Sequence, residues 1–248
     1  MSGYKLLSWA GVRLDVEGKS LVIDAVEGIG SFEAAMGQPR QPFCPIGEAG
    51  EVDYAAFTHL HSDHFDPATL KLRLKSTGRV ICHTAVADAV RKSGLQVQTV
   101  EEWNPVELGA FTLMAVPAVD GFGAYQVSWV VTVGNHKAIH CGDTMYHGYW
   151  WDFARRVGPI DLAFLPINAA RVVYLLEGSG LPAAMSSEQA AVAARLMKAK
   201  TIIPIHYREF HRPPTYIGDL EAEATLPGFA QREGVKVRIA RAGEGIGW

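Results

Sequence analysis

His59-Leu60-His61-Ser62-Asp63-His64, followed at once by Phe65-Asp66-Pro67, puts three of the chain's nine histidines and a carboxylate into six residues. Side chains two apart on an extended segment leave from the same face, so the rings of His59 and His61 can meet one ion. Asp66-Pro67 is a turn signal. Asp63 and His64, placed where the chain turns, point at a second position close by. Imidazole with carboxylate suits zinc, and also manganese or iron. The preceding Tyr54-Ala55-Ala56-Phe57-Thr58 reads as a strand that delivers His59 at its end.

Three segments further along carry the same chemistry: Val116-Pro117-Ala118-Val119-Asp120, His140-Cys141-Gly142-Asp143-Thr144 and Ile203-Pro204-Ile205-His206-Tyr207. In this chain order, with the H-x-H-x-D-H cluster ahead of them, they resemble the metallo-β-lactamase superfamily over most of the chain. The I-P-x-H-Y form, with Met185-Ser186-Ser187-Glu188-Gln189-Ala190 before it, is similar to the ascorbate-6-phosphate lactonase-like branch of metal-dependent hydrolases. The resemblance implies an α/β fold, a four-layer αββα sandwich, with two divalent metal ions, zinc or manganese with iron as a further choice. It implies that His59, His61, Asp120 and Asp143 hold the first ion and Asp63, His64, Asp143 and His206 the second. Asp143 then bridges, and Asp63 doubles as a catalytic residue that orients the attacking hydroxide. Thr58 and Thr144 are neighbours of these ligands, or equally ordinary strand and turn packing.

The third segment position departs from the family pattern, which usually has histidine where this chain has Asp120. An aspartate ligand adds a negative charge and a hard oxygen, moving preference from zinc toward manganese, iron or magnesium. Two alternatives stand beside it: Asp120 as a loop carboxylate capping Gly121, or a slipped register in which another histidine substitutes. His140 is the nearest such histidine, but three residues before Asp143 on a strand it faces the opposite way.

Length and composition fit one soluble enzyme domain over 1–248. The chain has 248 residues, 48% of them hydrophobic, enough for a substantial core. It has no long uninterrupted apolar run and no basic-then-apolar start, so no membrane span and no signal peptide is expected. A net charge of −3 gives no footprint for nucleic acid. The scattered Cys44, Cys82 and Cys141 fit a reducing cytoplasm better than a disulfide framework. The expected partner is a small-molecule substrate, anionic if the arginines near His211 touch it, and a homo-oligomer is compatible with the sequence.

Strands are expected at 4–15 and 19–25, joined at Glu17-Gly18, and at 54–58, 79–83, 111–116, 126–133, 136–141, 161–165, 200–205 and 235–240. Helices are expected at 67–75, at 84–93 opening on a Thr84 cap, and at 186–198, with a Gly- and Pro-rich loop over 26–52.

Among the remaining candidates, His211 in Arg208-Glu209-Phe210-His211-Arg212 is a catalytic proton donor or an anion contact, or else a surface loop residue. Asn168 lines the pocket or makes a turn. Tyr146 and His147, beside Tyr149, Trp150 and Trp151, read as packing, and His83 and His136, without a partner pattern, as core or surface residues. The function expected is hydrolysis of a small ester-like substrate, a lactone first and a phosphodiester second. A nuclease of the same superfamily and a metal-binding protein with little catalysis are the alternatives.

Overall fold

The computed structural model describes residues 3–173 and 180–247. In chain order its strands are β1 (Gly3–Leu6), β2 (Val12–Val16), β3 (Lys19–Ile23), β4 (Val52–Ala56), β5 (Leu74–His83), β6 (Val97–Val100), β7 (Val106–Glu107), β8 (Thr112–Pro117), β9 (Val127–Val133), β10 (His136–His140), β11 (Ile160–Pro166), β12 (Arg171–Val172), β13 (Ala199–Ile205), β14 (Tyr216–Ile217), β15 (Lys236–Val237) and β16 (Gly245–Ile246). They form two seven-stranded sheets, ordered β16-β1-β2-β3-β4-β5-β6 and β15-β13-β11-β10-β9-β8-β7, with β12 and β14 paired apart. Each sheet is antiparallel in one part and parallel in the other: β3 to β6 run parallel in the first, β10, β11, β13 and β15 in the second.

The layering follows from the period of two along each strand. In β3, Leu21 and Ile23 face a shared core, and in β9, β11 and β13 so do Trp129 and Val131, Leu162 and Phe164, and Ile203 and Ile205. The alternate residues face outward onto helices. The short helix α1 (Glu33–Met36) interrupts the loop expected over 26–52, and Val22, Ala55 and Val80 pack with Leu70 of α2 (Pro67–Arg73) and Val90 of α3 (Ala87–Lys92). Val130, Ala163, Leu165 and Ile202 pack with Phe153 of α4 (Trp150–Arg156), Ala190 and Ala194 of α5 (Ser187–Leu196) and Leu226 of α6 (Ala222–Glu233). Both faces of both sheets are therefore covered, and the arrangement is the expected αββα sandwich.

Several local expectations hold for the reasons that suggested them. Glu17 and Gly18 both take positive φ, 49° and 75°, as a two-residue turn between twisted strands requires. The start of α5 is a capping box in which Ser186 Oγ accepts from the Gln189 backbone and Gln189 Oε1 accepts from the Ser186 backbone.

Others are corrected. Residues 4–15 are not one strand, because the chain turns at Ser8–Gly11 with Trp9 at φ 62°, and the Leu7 amide bonds the Gly11 carbonyl. The helix from Pro67 stops at Arg73, since Leu74 is extended and pairs with Val52. The cap before Ala85 is the His83 ring, not Thr84, whose hydroxyl instead donates to the Val100 carbonyl. Of 235–240 only Lys236 and Val237 pair, against β13. Helix α6 was not among the expected elements; it runs through Pro227 and Gly228 because Ala222, Leu226 and Ala230 bury one face at a spacing of four. Among the described residues, no helix is long and apolar enough to cross a membrane.

Candidate metal centre

The two sheets meet where their strands deliver ligands. The Val127 amide at the start of β9 bonds the Thr58 carbonyl just past β4, and Trp129 Nε1 donates to the Phe57 carbonyl at 2.8 Å. Those bonds hold the loop after β4 against the second sheet. The loop is not extended through His61: β4 ends at Ala56, and the amides of His64 and Phe65 both bond the His61 carbonyl in a tight turn. The rings converge all the same, with His59 Nε2 and His61 Nδ1 2.7 Å apart.

Seven side chains gather there in two sets, His59, His61, Asp120 and Asp143 in one and Asp63, His64 and His206 in the other. Asp143 reaches both. Its Oδ1 lies 3.8 Å from His59 Nδ1, and its Oδ2 lies 3.9 Å from His64 Nε2 and 4.0 Å from His206 Nε2. Asp63 Oδ2 lies 3.6 Å from His64 Nε2 and 3.7 Å from His206 Nε2. Two donors bound at about 2.0–2.2 Å to a common ion stand at most about 4.4 Å apart, so these separations suit a cation between them.

Burial argues the same way. Asp63 Oδ1, His64 Nε2, Asp120 Oδ1 and His206 Nε2 are all buried without a hydrogen-bond partner, a costly state for polar atoms unless something charged lies among them. Burial also drives His59 well below the usual histidine range and His206 down to about 4, leaving neutral rings able to ligate. Burial opposes a proton on His64 as well, but Asp63, Asp24 and Asp143 prevail and hold it up to about 10. The carboxylates thus demand positive charge. The residues present fit a pair of divalent cations.

Asp120 joins the cluster in the register expected. It follows β8 in a loop, where Oδ2 accepts from the amides of Phe122 and Ala124 at 2.7 and 2.8 Å while Oδ1 faces His61 Nδ1 at 3.6 Å. One oxygen holds the amides of Phe122 and Ala124, not Gly121 as expected, and the other faces the cluster. His140 belongs to neither set. Its Nε2 bonds the Ala10 carbonyl at 2.6 Å and its Nδ1 faces Asp24.

Three supporting residues escaped the sequence reading. Asp24, fully buried, accepts from the Thr58 amide at 2.7 Å, the Thr58 hydroxyl at 2.8 Å and His64 Nδ1 at 2.7 Å, which turns His64 Nε2 into the site. Trp9 Nε1 donates to Asp63 Oδ2 at 3.0 Å, and its ring packs 3.8 Å from that of His206. Gln126 Nε2 donates to Asp143 Oδ1 at 3.1 Å. Thr58 is a neighbour of the ligands, since its hydroxyl lies 3.1 Å from His59 Nδ1, whereas Thr144 pins the Val119 backbone beside Asp120. Gly142 at φ 58° has no room for a side chain, because a Cβ would meet Thr58 Oγ1 at 2.5 Å.

Asn168 donates from Nδ2 to the Tyr216 hydroxyl, and its Oδ1 lies 3.4 Å from His206 Nδ1. His147 stacks on Trp150 as packing. His211 is not brought to the cluster. Its Nδ1 bonds the Gly218 carbonyl at 3.0 Å, and it lines a separate groove with Glu33, Gln38 and Arg212.

The electrostatics give a pH dependence. Burial pushes Asp143 up to about 7, against the pull of His64 and with the help of Asp120 and Asp63. A cation must displace that proton and also the one His64 keeps up to about 10, so apparent metal affinity is expected to rise as pH climbs through about 7 and to go on rising toward about 10. Competition against a chelator of known affinity at roughly pH 6, 7 and 8 checks this, and an affinity constant over that range contradicts it.

Comparison with known proteins agrees with the geometry. A family profile described as a beta-lactamase superfamily domain matches residues 19–207, a span that holds every ligand candidate. A metal-dependent hydrolase of Thermococcus kodakarensis is 26% identical over 185 residues, covering 72% of this chain and 75% of its own. Among solved structures, a metallo hydrolase from the archaeon Ignicoccus hospitalis matches with a TM-score of 0.71 at 17% identity, over 99% of this chain and 97% of that one. CmlA, a diiron β-hydroxylase from Streptomyces venezuelae, matches with a TM-score of 0.77 at 15% identity, over 100% of this chain and 54% of its own. Such identities carry the fold alone. The profile match covers well over half of the sequence, and on that ground the chain belongs to the metallo-β-lactamase superfamily, among relatives named as metal-dependent hydrolases.

Proposed function

We propose that this metal-dependent hydrolase works at a dinuclear centre and cleaves a small ester-like substrate, a lactone before a phosphodiester, as in the lactonase-like branch. The observation that carries the reading is the placing of Asp143, one oxygen toward each donor set. His59, His61, Asp120 and Asp143 hold one divalent ion, and Asp63, His64, Asp143 and His206 the other. Such a pair, when bound, polarises the scissile carbonyl and brings a water toward ionisation near neutral pH. The remaining work belongs to the chain. Asp63, with Oδ2 held by Trp9, has Oδ1 free to orient the attacking water, and Asp24 and Gln126 keep His64 and Asp143 in line. His211, tied to Gly218 outside the cluster, is left without a catalytic part. The test is turnover of a panel of lactones and phosphodiesters by metal-loaded protein, abolished by a chelator and restored by added metal. Metal-loaded protein that turns over neither class contradicts the proposal.

The metal follows from Asp120. A first position of two imidazoles and two carboxylates is harder and more anionic than three imidazoles and one carboxylate, so manganese or iron supports activity at least as well as zinc. Asp120→His is expected to shift preference toward zinc and to lower the pH at which hydrolysis switches on, since less negative charge opposes ionisation of the water. Activity and metal content unaltered in Asp120→Ala would place Asp120 in the loop alone.

A further inference from the structure

Beside Asp63, Asp143, His61 and His206 opens a cavity of about 230 Å³. Its other walls are apolar: Phe32, Met36, Phe122, Val172, Ala184 and Tyr216. Among the described residues, no lysine or arginine lines it. Two arginines lie near it without lining it: Arg171, exposed on β12 between the lining residues Ala170 and Val172, and Arg212, which lines the adjoining groove beyond Met36 with its Nη1 bound to the Ala34 carbonyl at 2.6 Å. At the metal end, Asp63, Asp120 and Asp143 offset most of the charge that two divalent ions bring.

A substrate seated here places its scissile group at the ions and its other arm among these side chains. An anionic arm would be buried with no cation to pair it, which is costly. An apolar arm gains by leaving water. An apolar cavity of about 150 Å³ accepts a benzene ring, so this one has space for a phenyl ring or a short alkyl chain. Phe122, 40% exposed, extends the apolar surface to the mouth.

We infer that the arm of the substrate remote from the scissile bond is uncharged and apolar, an aryl or alkyl group, and that the enzyme discriminates against arms bearing carboxylate or phosphate. This rests on the hydrolase reading, and it runs against the expectation of an anionic substrate drawn from the arginines near His211. The test has two arms. In the first, metal-loaded protein is offered γ-butyrolactone unsubstituted, with a γ-phenyl group and with a γ-carboxylate. The expected order of kcat/KM has phenyl above unsubstituted by roughly 10- to 100-fold, the scale of burying one ring, with carboxylate lowest. In the second, calorimetry measures binding of 3-phenylcyclopentanone, a carbocyclic analogue that cannot be hydrolysed, against cyclopentanone. Tighter binding of the phenyl ketone is expected, with several-fold weakening in Phe122→Ala, an exposed position whose change leaves the core intact. A carboxylate lactone turned over best, or equal binding of the two ketones, overturns the inference while leaving the hydrolase reading standing. Preferential binding of the phenyl ketone with no turnover of any lactone or phosphodiester supports the pocket and overturns the hydrolase reading.

Discussion

Asp24→Ala is expected to destabilise the fold by about 3–5 kcal/mol, the scale for removing one partner from a buried charged pair, and to weaken the second metal position about 10- to 100-fold. Asp24 is wholly buried and touches no candidate ion itself, yet it holds three donors: the Thr58 amide, the Thr58 hydroxyl and His64 Nδ1. Its loss leaves the Thr58 amide unpaired next to the β4 end and frees the His64 ring to rotate, so Nε2 is no longer presented beside Asp63 and Asp143. Asp24→Asn keeps the size and one acceptor, and should lose less stability while still weakening the metal. Denaturant unfolding with and without added metal, together with metal titration of the folded variants, separates the two effects. Wild-type stability and full metal content in Asp24→Ala would remove Asp24 from the account.

The candidate ligands were legible because the first of them are closely spaced and the others stand in motifs that resemble the family's. Three histidines and an aspartate within one hexapeptide can converge without knowledge of the fold, and Asp143 and His206 sit in short motifs at strand ends. The sandwich was expected from the resemblance, and in the structure alternation in stretches such as 127–133 assigns one face to the shared core and the other to the helices. What stayed hidden acts across the chain. Trp9 meets Asp63 from 54 residues away and Asp24 meets His64 from 40, and neither has a local pattern that distinguishes it from a turn residue. The turn holding Trp9 was itself concealed, because 4–15 is apolar enough to pass for one strand. Helix α6 shows the converse, a local breaker signal at Pro227 overruled by the apolar face at Ala222, Leu226 and Ala230. Asp120 was readable as a departure, but only the third dimension shows one carboxylate oxygen holding the Phe122 and Ala124 amides while the other faces His61.

The largest effect is expected from Asp143→Ala. Asp143 faces both donor sets, and in the proposed dinuclear centre its charge would offset the mutual repulsion of two cations held close together. Removing it takes a ligand from each position and leaves a more positive site, so neither ion is retained well. Hydrolysis should fall by roughly 10⁴-fold, the scale seen when a member of an interdependent catalytic set is lost. No single histidine change should be as severe, since each of those rings serves one ion only. The direct measurement is elemental analysis of metal per chain in the purified wild type and in Asp143→Ala, each shown to be folded. About two equivalents are expected in the wild type, as one carboxylate bridging two metals requires, and loss from both positions in the variant. Full retention of one equivalent in Asp143→Ala would contradict a bridging aspartate, and with it the dinuclear centre on which the proposed chemistry depends.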